Sequence, residues 1–269
     1  MHRIGIFACI ALVATTAIGM AQDAFQELKG DHFIVYYRQD KLFAQEVLRA
    51  AEGYYYSIAK NLGYDRFDNF WTWERRVKIF VFAGREEYLM NTRVAGWSEG
   101  FANYEHKVIV AYSAVDGFLE RVLPHEITHL MFRDFVGMRD SVPIWLDEGV
   151  ALSQEMNRRK DLFALIAVAV QKNALIPLNV VVQVKTENAI HPKAVALFYA
   201  EATGVVEYLM DTFGRDKFIE FCKSLRDGYG MDESLRRVYR QDSIENLQNL
   251  QGKWVEFIRA LQKEDRIVT

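Results

Sequence analysis

Apolar residues are arranged along this chain in two ways. As far as Tyr112 they come in short runs rich in β-branched and aromatic side chains: "HFIVYY" (His32 to Tyr37), "RVKIFVF" (Arg76 to Phe82) and "KVIVAY" (Lys107 to Tyr112). Runs of this length and type predict strands. Between the first two, Leu42, Phe43, Val47, Ala50, Tyr54 and Ile58 recur at helical spacing, which predicts a long helix from Asp40 to Leu62 that ends at Gly63. A short helix fits Arg85 to Asn91. The glycines and polar residues of "GWSEGFANYEH" (Gly96 to His106) fit a loop or hairpin leading into the third strand.

From Asp116 onward the spacing is almost wholly helical. One helix runs to about Phe135 and another from Leu146 to Asp161 or beyond; a third, Pro192 to Phe213, opens on proline and stops at Gly214. Asp216 to Arg226, Asp232 to Tyr239 and Ser243 to Leu261 complete the series. Strands first and helices later predict an α+β protein with a small N-terminal mixed sheet and a mainly helical C-terminal lobe. No repeat, low-complexity tract or proline-rich linker interrupts residues 22–269, so a single domain is expected, its lobes meeting near residue 135.

Composition adds limits. With 51% hydrophobic and 26% charged residues, a chain of 269 can bury a sizeable core. Its 33 basic and 36 acidic residues leave a formal charge of −3, which gives no electrostatic basis for nucleic acid or an anionic membrane as a partner. Residues 1–21, "MHRIGIFACIALVATTAIGMA", place Arg3 before an uncharged apolar run and small residues before Gln22. This reads as a signal peptide, so a secreted or cell-envelope protein is expected, with no membrane span in the mature chain; an uncleaved anchor is the other reading. Cys9 lies inside that segment, leaving Cys222 without a disulfide partner in the mature chain, where its helical spacing from Phe218 and Leu225 suits a small buried hydrophobe.

The chemistry concentrates in "LPHEITHLMFRDFVGMRDSVPIWLDEGVA", Leu123 to Ala151. Residues four apart share a helix face, so His125 and His129 can both turn a ring nitrogen toward one ion. Glu126, about 100° round the helix, would lie beside that ion, where a carboxylate can hold water and take its proton. A chance H-E-x-x-H is expected in about 1% of shuffled chains of this composition, so a third ligand is the needed test. Glu148 supplies one, nineteen residues after His129 at the start of the next helical segment. Trp145 and Leu146 would anchor that segment in the core, and Gly149 would let it approach the histidine helix closely. Pro124 is tolerated if the helix begins near Arg121, within its first turn; otherwise a kink adjoins His125.

The pattern H-E-x-x-H, eighteen residues, then Glu within W-L-[ND]-E-G-x-A, present here as "HEITH" and "WLDEGVA", resembles that of the gluzincin metallopeptidases. The thermolysin-like and zinc-aminopeptidase groups are relatives, and the nearest likeness is to the short secreted or membrane-tethered peptidase MA-like proteins. The resemblance implies a zincin-like two-lobed fold, Zn2+ held by His125, His129 and Glu148, Glu126 as general base, and a peptide or protein substrate. It also implies an oxyanion donor, for which Tyr199 in "ALFYAEATG" resembles the tyrosine that relatives use, a core tyrosine being the other reading. The G-x-M-E-N loop with which aminopeptidases hold a free amine is missing, as is the aspartate four residues past the third ligand, where Leu152 stands. Glu155, seven past Glu148, is a candidate to orient a ligand. His191 is a lesser donor candidate, and His32 and His106 are expected to face solvent. The strand Lys107 to Tyr112 is expected to pair with an extended substrate, unless it is interior. Two functions follow from one site: a peptidase working by zinc-activated water, or a catalytically inactive zinc-stabilised binding or assembly module of the bacterial envelope.

Overall fold

The computed structural model describes residues 25–64, 71–92, 94, 98–138, 142–185 and 190–263; the expected signal segment lies outside the described residues. The fold is mixed α+β. It divides into two compact units, Met1–Met131 and Phe132–Thr269.

The first unit holds a five-stranded sheet of β1 (Gln26–Lys29), β2 (Phe33–Tyr37), β3 (Val77–Phe82), β4 (Gly100–Asn103) and β5 (Val108–Tyr112), in the order β1-β2-β3-β5-β4. β2, β3 and β5 are parallel, with Val35 opposite Ile79 and Ile79 opposite Ile109; β1 and β4 run antiparallel at the two ends. All five residues of β5 are buried, as suits a parallel strand covered on both faces. Because β3 and β4 take both its edges, β5 has no free backbone edge to offer an extended substrate. The pairing role expected for Lys107 to Tyr112 is therefore corrected: this is an interior strand.

Helix α1 (Lys41–Asn61) begins at Asp40, whose side chain accepts from Phe43 N–H at 2.9 Å, and it buries Ala44, Val47, Ala51, Tyr55 and Ile58. It ends where the sequence predicts. Gly63 takes φ +78°, Tyr64 N–H bonds Ala59 O and Gly63 N–H bonds Lys60 O, the paired closure that a left-handed residue allows. His32 is buried rather than solvent-facing: its Nδ1 lies 2.7 Å from Glu52 Oε2 and its ring stacks on Tyr55 at 3.7 Å. His106 is exposed.

After α2 (Arg85–Thr92) and the β4–β5 hairpin, Phe118–Val122 forms one wide π-helical turn that runs into α3 (Leu123–Val136). Leu123 N–H reaches back five residues to Phe118 O. Pro124 thus falls in the first turn of α3, where a missing N–H is tolerated.

The second unit takes the end of α3 and the helices α4 (Ile144–Ser153), α5 (Arg159–Gln171), α6 (Leu178–Val181), α7 (Val195–Phe213), α8 (Arg215–Arg226), α9 (Met231–Tyr239) and α10 (Leu247–Lys263). The single helix expected from Leu146 to Asp161 is two, broken at Gln154 and Glu155. α7 is the axis of this unit, buried at every residue from Phe198 to Met210. Cys222 is fully buried on α8, and burial pushes its thiol well above the usual range, so it is the inert hydrophobe expected. Among the described residues no helix is long and apolar enough to cross a membrane.

Candidate metal centre

Helix α3 sets the imidazoles one turn apart on one face. His125 is fully buried and Glu126 is 3% exposed. The two Nε2 atoms face each other at 3.0 Å with ring planes 81° apart. Two nitrogens bound at about 2.0–2.1 Å to one tetrahedral ion stand about 3.3 Å apart. The rings are therefore aimed as a shared cation requires.

Glu148 arrives on α4, where every residue from Trp145 to Leu152 is buried. Trp145 and Leu146 anchor the helix in the core as the sequence predicts. Gly149 acts differently. A Cβ there would meet Ala202 O at 2.6 Å and Val206 Cγ2 at 2.9 Å, so its missing side chain lets α4 press on α7 and not on the histidine helix.

His125, His129 and Glu148 each offer a ligand atom within 4.8 Å of the others, and they form the one such group of three among the described residues. Two imidazoles and a carboxylate match the donor set of catalytic zinc sites, in which three protein ligands leave a fourth position for water or substrate. The residues fit a divalent cation.

One charge pair adjoins the group. Arg133, one turn beyond His129, donates through Nη2 to Asp147 Oδ2 at 2.5 Å; Asp147 directly precedes Glu148. The sequence reading missed this pair. Its signal was present: a basic residue four past the second histidine and an acid one before the third ligand. At the end of α3, Arg226 Nη1 donates to Val136 O at 2.8 Å, a cation where the helix carbonyls are left over.

The remaining candidates are placed as follows. Tyr199 lies in the first turns of α7, 4% exposed, its ring 5.4 Å from that of Phe198. Glu155 does not share the helical face of Glu148, because α4 stops at Ser153; it is buried and accepts from Arg158 Nη1 at 3.2 Å. His191 is an exposed loop residue whose Nδ1 accepts from Lys193 N–H at 3.3 Å. Two further buried carboxyls sit on α7. Burial pushes Glu201 up to about 8, with the Ile176 N–H bonded to its Oε1 opposing the shift. It pushes Glu207 up to about 7, opposed by the Arg159 guanidinium 3.1 Å away.

A comparison with curated proteins gave no match. The family model described as Peptidase MA superfamily matches residues 74–260, well over half the chain and including the whole of α3 and α4. On the strength of that match the chain belongs to the Peptidase MA superfamily.

Proposed function

We propose that this protein is an exported, zinc-dependent metallopeptidase of the gluzincin type that hydrolyses peptide bonds. The observation that carries the reading is the convergence of His125, His129 and Glu148 within 4.8 Å in a Peptidase MA superfamily chain. Bound there, zinc supplies Lewis acidity, making water more acidic and polarising a carbonyl. His125 and His129 present Nε2 as electron-pair donors; Glu148 adds a negative charge that holds a divalent cation more firmly than imidazoles alone. Glu126 takes the proton of the attacking water and hands it to the leaving amine as the peptide C–N bond breaks. Tyr199 is assigned the donation of a hydrogen bond to the oxyanion. A substrate that adds to the sheet needs a strand with an open edge. Among the described residues β4 ends the sheet beside β5, so the role first given to β5 passes to β4.

The test sets the full chain, its Glu126→Gln variant and chelated protein against a peptide library, with metal content measured alongside. Expected are stoichiometric zinc in both proteins and at least a hundredfold loss of turnover in the variant. A Glu126→Gln rate equal to wild type would remove the assigned base. Zinc without turnover in the wild type would favour the assembly module, and no metal at all would end the reading. Product masses then distinguish internal from terminal cleavage.

A further inference from the structure

We propose that Arg133 and Asp147 are positioning residues: their ion pair fixes the spacing between the helix that bears the two imidazoles and the helix that bears the carboxylate, and so sets metal affinity. The inference rests on the metallopeptidase reading above and extends it to residues that reading does not use.

The placement of the pair carries the idea. Arg133 continues the stripe of His125 and His129 at the next helical turn, in the last turn of α3. Asp147 sits in the first turn of α4, bonded through the backbone to Glu148. The 2.5 Å contact therefore joins α3 to α4 within one turn of one ligand and one residue of another. Asp147 is only 6% exposed and, Glu148 apart, lies among apolar residues in the buried stretch from Trp145 to Leu152. Its partner, the Arg133 guanidinium, belongs to a side chain that is 32% exposed, so the pair spans from the buried face of α4 toward solvent. Arg226 Nη1, donating to Val136 O at 2.8 Å, also holds this end of α3. Zinc bonds tolerate only about 0.2 Å of error, so freedom between the two helices weakens the site even when all three ligands remain.

A bridge that merely stabilises the fold predicts something else: lower stability with unchanged metal affinity. The experiment separates these by measuring both on the full chain, with Zn2+ alone as the probe. Zinc affinity is read by competition with a chromophoric chelator, and stability of the metal-free protein by urea unfolding. Arg133→Met and Asp147→Asn are each expected to weaken zinc binding about 10–100-fold, and Arg133→Lys, which keeps the charge but not the planar fork, less than either. Should a single variant fail to fold, the double variant Arg133→Met with Asp147→Leu leaves no charge buried alone and is expected to fold with the same weakened affinity. Any of the folded Met, Asn or double variants binding zinc within twofold of wild type overturns the proposal. A wild type that binds no zinc overturns the functional reading beneath it, which is a different result.

Discussion

Helices α4 and α7 touch through Gly149 and Ala202, are buried along most of their length, and each carries glutamate in its buried stretch. The carboxylates meet different company. Glu148 has two imidazoles whose ligand atoms lie within 4.8 Å. Glu201 accepts from the backbone N–H of Ile176 at 2.8 Å; among the described residues its Oε2 has no hydrogen-bond partner, and burial holds it protonated up to about 8. Burial alone therefore does not make a carboxylate a ligand. It raises the cost of charge, and only converging electron-pair donors around a cation, or a cationic side chain, turn that cost into a site.

The largest expected effect tests this contrast directly. Glu148→Gln should weaken zinc binding by more than about a hundredfold, beyond what indirect partners of a ligand cost, whereas Glu201→Gln should leave it unchanged; equal losses in a chelator competition would erase the distinction. Next, Gly149→Ala forces a methyl against the Ala202 carbonyl and should cost about 2–3 kcal/mol in urea unfolding. An unchanged midpoint would mean that the α4–α7 contact yields freely. The smallest effect, taken over any single pH unit, is in pH dependence. Folded Glu201 keeps its proton to about 8 while the unfolded chain releases it near 4.5, so the folded state binds more protons in that window and stability falls as pH rises. The slope is at most about 1.4 kcal/mol per pH unit. Glu201→Gln should flatten it, and Glu207→Gln should do so over a narrower window that closes near 7. A Glu201→Gln protein with the wild-type slope would show that this carboxyl is not held neutral.

The sequence made the metal group legible because its information is local: four-residue spacing on one helix and a carboxylate opening the next. The central strands were equally plain, since β5 is an unbroken apolar run and β3 is interrupted only by Lys78. What escaped depends on partners distant in sequence. β1, "QELK", is mostly exposed and carries no alternation to mark it as an edge strand. The break after Ser153 falls in "SQEM", without the glycine or proline that usually announces one. Gly149 was expected to seat its helix against the histidine helix, but the backbone it meets lies some fifty residues further on. His32 looked like a strand-end residue facing water because Glu52 and Tyr55, which enclose it, belong to another element.

The wide turn at Phe118–Val122 has a further consequence for the chemistry. Changing from one winding to another disturbs the ladder of backbone bonds once, and a proline disturbs it once more. At Leu123 and Pro124 the two disturbances coincide, so they merge into a single fault placed just ahead of His125. Everything from that imidazole to the end of the helix is then uninterrupted rod, and the pair of nitrogens inherits its stiffness.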